Sequence, residues 1–184
     1  MLRPAHIGHL ALLRARIREG AREGSFQPEL AWDSAASERF FGELRQALKT
    51  GYFVVEDRDT GAMRTVAVPG YVYWADETVG GEPPVGFGLF KAAPGGGYEL
   101  WLAGLENTLR GKGLGRAMLK ALLATPTGRD TRFMRVRRDG AYAGALAKLL
   151  EAHGFTATRE TKHETWFVRA LPSTAFTRDD GSRH

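Results

Sequence analysis

The spacing of apolar residues changes five times along this chain. Over residues 6–19, Leu10, Leu13 and Ile17 share one helical face, with Arg14, Arg16 and Arg18 around the others. This predicts an amphipathic helix with Gly20 as its stop. A connector over residues 20–32 carries Phe26, Glu29 and Trp32. A second helix is predicted after a polar start at Asp33 or Ser34, with Phe40, Phe41, Leu44 and Leu48 as its apolar face and Gly51 as its end. The pattern then shortens to strand-like runs. Tyr52–Val55, Thr65–Trp74, Val85–Ala92 and Tyr98–Ala103 are predicted strands, with Pro69-Gly70 as a bend inside the second. Turn signals separate them at Asp59-Thr60-Gly61, at residues 80–84 and at Pro94–Gly97. Helical spacing returns at Leu114, Met118, Ala121 and Leu122, and breaks at Pro126 and Gly128. Thr131–Val136 follows as a strand parallel to its neighbour, because a helix precedes it. A fourth helix, capped by Asp139, buries Tyr142, Leu146, Leu149 and Leu150. Phe155–Thr158 and Glu164–Ala170 close the pattern as a pair of strands. One domain over residues 1–171 is expected, with residues 172–184 as a polar, flexible tail.

Between the fourth predicted strand and the third helix stands Arg110-Gly111-Lys112-Gly113-Leu114-Gly115-Arg116. Glycines let a backbone approach a ligand closely, and a helix starting there points free N–H groups and the positive end of its dipole into the loop. A phosphate is the simplest ligand for such a loop. Two familiar phosphate loops fail on spacing. The dinucleotide fingerprint needs Gly or Ala where Arg116 or Met118 stands. The nucleoside-triphosphate loop needs Ser or Thr after Lys112, where Gly113 stands, and Gly at position 106, which is Glu.

Arg110-x-x-Gly113-x-Gly115 resembles the acyl-CoA pyrophosphate loop of the GNAT acyltransferase superfamily. The short strand-like start Met1–Ala5 and the Gly154-Phe155 that closes the fourth helix have the order this family requires. The resemblance covers roughly residues 1–170. It implies an α+β fold: a mixed, mostly antiparallel sheet of six to eight strands flanked by about four helices. It also implies acetyl-CoA as acyl donor and transfer of an acetyl group to the primary amine of a small molecule or peptide. Leu105, Arg110, Gly111, Lys112, Gly113, Leu114, Gly115 and Arg116 would then hold the cofactor, with a backbone N–H at or near Leu105 facing the thioester oxygen and Gly104 permitting a bulge.

The candidate base is Glu99, on the strand entering the glycine loop, which resembles the placement of the catalytic Glu in the family's histone acetyltransferase branch. A carboxylate on an otherwise apolar strand is suited to take a proton directly or through water. Glu106 is the second candidate. Leu150 stands where the family commonly has a thiolate-protonating Tyr, and Ala143 where an Asn is often found, so Tyr142 is the substitute acid and solvent the alternative donor. His153 reads as a cation at a helix C-terminus. Phe26, Glu29 and Trp32 are the candidate acceptor-binding residues.

Composition narrows the picture in a few places. The chain has no cysteine, which removes disulfides, thiolate metal sites and a cysteine nucleophile, and no metal is expected. It has no apolar run of membrane-spanning length and no apolar signal-peptide core, so a cytoplasmic protein without membrane association is expected. Its net charge of +5 is concentrated most at Arg132, Arg135, Arg137 and Arg138. That balance permits nucleic acid as a partner but no nucleic-acid motif favours it. A toxin-like acetyltransferase of aminoacyl-tRNA and a non-catalytic CoA-binding module remain open alternatives, as does a homodimer paired through C-terminal edge strands.

Overall fold

The computed structural model describes residues 1–56, 61–75, 83–93 and 96–170. Strand β1 (Leu2–Pro4) leads through a one-turn 3-10 helix to α1 (Leu10–Arg22). Helix α1 does not stop at Gly20. That glycine is buried inside the helix, and a Cβ there would lie 2.5 Å from the Phe26 ring, so Gly20 admits Phe26 against the helix rather than ending it. Helix α2 (Ala35–Thr50) starts as expected at Ser34, whose hydroxyl accepts from the Ser37 N–H at 3.1 Å.

The predicted strand Thr65–Trp74 is two strands. Strands β2 (Tyr52–Glu56) and β3 (Met63–Ala67) pair with each other alone, while β4 (Gly70–Tyr73) enters the main sheet. Pro69 has no N–H for a ladder, and the chain changes sheets there. Then come β5 (Gly86–Ala92), β6 (Tyr98–Leu105), α3 (Leu114–Ala124), the single turn α4 (Pro126–Arg129) in place of a bare break, and β7 (Thr131–Arg137). The chain ends with α5 (Ala143–Glu151), β8 (Phe155–Glu160) and β9 (Glu164–Arg169). Asp139 does not cap α5. It binds Arg137 at 2.8 Å, and the helix begins after Tyr142. The turn expected at 59–61, most of the loop at 80–84, part of the turn at 94–97 and the tail lie outside the described residues.

Seven strands form one sheet in the order β1-β4-β5-β6-β7-β9-β8. Every neighbouring pair is antiparallel except β6 and β7, which are parallel as expected. The α+β class and the mixed, mostly antiparallel sheet are as the sequence implied. One face packs under α1 and α2, with Leu13, Ile17, Phe41 and Leu44 on Val72, Phe87, Leu89 and Leu102. The other packs under α3 and α5, with Met118, Leu122 and Leu150 on Phe90, Leu100, Met134 and Val136. Gly88 on β5 allows the close approach of α3, since a Cβ there would meet the fully buried Leu122 at 2.6 Å. Gly88→Ala is therefore expected to lower stability by about 1–3 kcal/mol through overpacking. Thermal or urea unfolding would register this as a lower midpoint.

Candidate active site

Strands β6 and β7 pair only at Tyr98↔Thr131 and Glu99↔Phe133, and beyond Glu99 they part. The cleft so opened is the root of a cavity of about 1150 Å³. It reaches from Gly111 and Gly115 in the glycine loop to Lys91, Glu99, Trp101 and Trp166. The stretch of β6 from Glu99 to Leu105 along it spans about 20 Å at strand rise.

At the loop end, Gly111 and Gly113 hold φ values of 75° and 81°, a region that glycine adopts without strain. Gly113 precedes α3, and no side chain caps the helix, so its first-turn N–H groups are left to a ligand. Cβ atoms built on Gly111, Gly113 and Gly115 would meet nothing within 4 Å, so the loop backbone is open to a ligand. Lys112 and Arg116 are exposed beside it. A diphosphate fits this donor set. Arg110 lines the cavity as well, with its guanidinium engaged by neighbouring groups. It turns inward, with Nη1 on Glu23 at 2.5 Å, Nε donating to the Leu105 carbonyl at 3.2 Å and its guanidinium 4.5 Å from the Tyr142 ring centre. Arg110 thus ties the loop to Glu23, Leu105 and Tyr142.

The strand edge facing the cleft follows from the ladder. The Glu106 N–H donates to the Val85 carbonyl at 2.8 Å, and the register runs unbroken from Leu105↔Gly86 to Leu102↔Leu89. Antiparallel neighbours alternate between bonded and non-bonded pairs, so the peptide groups of Leu105 and Ala103 face away from β5, toward the side where β7 has diverged. A ligand chain carrying amides can bond that edge as an extra strand would. The bulge in β6 lies at Trp101, opposite Leu89 and Phe90, not at Gly104. Gly104 keeps the regular register, and a Cβ there would sit 2.6 Å from the Phe87 ring, so its role is to accommodate Phe87.

At the other end Glu99 is buried, but not in the apolar setting that its strand suggested. Its Oε2 meets Lys91 Nζ at 2.9 Å and its Oε1 accepts from Arg135 Nε at 2.7 Å. The residues form a row across the sheet face, because Lys91 pairs with Glu99 and Arg135 with Trp166, which pairs with Arg159. Burial pushes the Lys91 ammonium below its usual range, and Glu99 only partly restores it. Arg135 is also opposed by burial, yet its hydrogen bond to Glu99 and the nearby Glu164 raise it above the ordinary guanidinium range.

Other candidates lie elsewhere. Glu106 does not line the cavity; it binds Arg16 at 2.7 Å and accepts from the Thr108 hydroxyl at 2.9 Å. Tyr142 lines the cavity at the loop end, where it is exposed, packs on Arg110 and donates to Asn107 Oδ1 at 3.3 Å. It is therefore not the core aromatic of α5. Of the expected acceptor residues only Phe26 lines the cavity. Pro28–Ala31 forms a 3-10 turn that buries Leu30 and Ala31 and leaves Glu29 and Trp32 facing outward. His153 Nδ1 sits 2.9 Å from the Leu149 carbonyl at the end of α5, as expected of a C-terminal residue. Sequence reasoning missed Lys91, Trp101, Arg135, Glu164 and Trp166. For Arg135 a signal existed in the basic cluster on β7. For the tryptophans only strand register carries the information.

This fold, with parallel strands parting beside a glycine cradle, is that of the GNAT N-acetyltransferases. Among solved structures, the chain resembles a phosphinothricin acetyltransferase from Sinorhizobium meliloti in complex with acetyl-CoA, at 21% identity and TM-score 0.63, covering 98% of this chain and 94% of that one. It also resembles PaiA N-acetyltransferase from Thermoplasma acidophilum in complex with coenzyme A, at 14% identity and TM-score 0.60, covering 93% and 98%. A third is a ribosomal-protein-alanine N-acetyltransferase from Brucella melitensis, at 16% identity and TM-score 0.60, covering 93% and 99%. No protein-family model and no curated protein matches the sequence.

Proposed function

We propose that the protein is an acetyl-CoA-dependent N-acetyltransferase acting on a primary amine. The observation that carries this reading is one cavity that joins a phosphate cradle, an open peptide edge and a buried carboxylate. Gly111, Gly113, Gly115 and the start of α3, with Lys112 and Arg116, would hold the diphosphate, and the Ala103 peptide group and the N–H of Leu105, whose own carbonyl accepts from Arg110, would bond the amides of the pantetheine arm. Acetyl-CoA supplies an acyl group activated as a thioester. The protein's part is to align the amine and take its proton, since a free alkylamine has a pKa near ~10 and is mostly protonated at neutral pH. Glu99 is the assigned acceptor of that proton, directly or through water, and Lys91 and Arg135 keep its carboxylate in place. Tyr142 is held at the loop end by Arg110 and Asn107, so solvent is the assigned proton donor to the departing thiolate.

Calorimetry of the intact protein with acetyl-CoA is expected to give one site with a Kd of about 1–100 μM, and thiol release should follow when a panel of amines is added. No heat at hundred-micromolar ligand would exclude the cofactor. Binding without thiol release from any amine would make the protein a CoA-binding module.

A further inference from the structure

The amine end of the cavity is lined by more cations than the proton acceptor needs. Lys91 and Arg135 share the single carboxylate of Glu99, one on each oxygen. Glu164, the other carboxylate in this part of the lining, is 4.0 Å from Arg135. Arg159 also lines the cavity and has no carboxylate partner among the described residues. Arg64 also lines the cavity and its charge acts against that of Lys91, so among the described residues four cations, Lys91, Arg64, Arg135 and Arg159, face the two carboxylates of Glu99 and Glu164. Three of them lie over a tryptophan: Lys91 is 5.2 Å from the Trp101 ring centre, and Arg135 and Arg159 are 5.3 and 5.7 Å from that of Trp166. Contact with an aromatic face holds a guanidinium in place. Arg135 already gives Nε to Glu99 and lies by Glu164, so the N–H groups available to an oxyanion are those of Arg159.

A protonated amine without any negative charge would enter this region against a net positive field. An amine that also carries an anion would have its ammonium near Glu99 and Glu164 and its anion at Arg159, within the positive field that Arg135 adds. We infer that the acceptor is a small amine bearing a carboxylate, of the amino-acid type, with Arg159 and Arg135 as the residues that select it. This rests on the acetyltransferase reading for its chemistry, but the anion preference has a binding readout of its own. No bond is made to the selecting residues: the amine nitrogen bonds the acyl carbon, the thiolate leaves and takes a proton, and the anion stays intact.

The test compares glycine, phenylalanine and glutamate with their α-amides as acceptors, by thiol release. In parallel, tryptophan fluorescence follows titration of the intact protein with the N-acetyl derivatives of the same six compounds. Free carboxylates are expected to exceed the amides by about tenfold or more in kcat/KM and in affinity, the scale of a charge-assisted hydrogen bond. Arg159→Gln should bring both ratios down to about threefold or less, mainly through KM. Equal binding of acid and amide by the wild-type protein overturns the inference, whether or not any amine is acetylated. Absence of thiol release with a preserved binding ratio overturns the catalytic reading and leaves the anion site standing.

Discussion

Glu99→Gln is expected to lower kcat/KM for amine acetylation by about 10²-fold or more at neutral pH, the scale of losing a general base. The same change should cost about 3 kcal/mol of stability, because it leaves Lys91 and Arg135 facing a neutral amide in a largely buried place. The two effects can be told apart. The activity loss of a base-deficient enzyme shrinks as pH rises, since a growing share of the amine arrives already deprotonated, whereas a loss through unfolding does not recover in that way. A pH profile from about 6 to 10 together with urea unfolding of both proteins makes the distinction. An unchanged profile would exclude Glu99 as the base. Glu106→Gln supplies the contrast: its carboxylate does not line the cavity and is engaged with Arg16 and Thr108, so its turnover should stay within about twofold of wild type.

Local signals carried much of this structure and stopped where register and distance took over. The helices over Leu10–Arg22 and Ala35–Thr50 could be read from apolar spacing and from the Ser34 cap, and the parallel strand Thr131–Arg137 from the helix before it. The glycine loop could be read because its requirement is a backbone requirement, and glycines are visible in a sequence. Arg110 shows the limit. Its charge was legible, but Glu23, which pairs with it, is 87 residues distant in sequence. The same holds for Glu99: its partners Lys91 and Arg135 come from the two neighbouring strands, and only the ladder brings them to it. Glu29 and Trp32 were misplaced for a local reason, a 3-10 turn whose apolar residues point inward and push their neighbours out. Gly20 and Gly104 looked like a stop and a bulge. Each instead makes room for a phenylalanine ring, a use of glycine that depends on a neighbour distant in space.

Gly115→Asp is expected to raise the Kd for acetyl-CoA by about 100-fold or more while the protein melts no lower than wild type. Gly115 lies in the first turn of α3, and a Cβ there meets nothing within 4 Å, so the side chain is accommodated without strain. A carboxylate at a helix N-terminus is favourable to the helix by about 0.3–1 kcal/mol, and replacing glycine in a helix adds to that. The position that suits an aspartate is the one a diphosphate requires. The new carboxylate would accept from the same N–H groups and repel the ligand's charge, and losing two charge-assisted hydrogen bonds of about 1.5–3 kcal/mol each accounts for the expected change. Gly115→Ala separates bulk from charge, and should weaken binding by only about threefold, since a methyl group neither caps the helix nor repels an anion. Calorimetry with acetyl-CoA and thermal melts of the three proteins measure both sides of this opposition. An aspartate variant that is more stable and still binds acetyl-CoA like wild type would mean that the diphosphate does not sit on the start of α3.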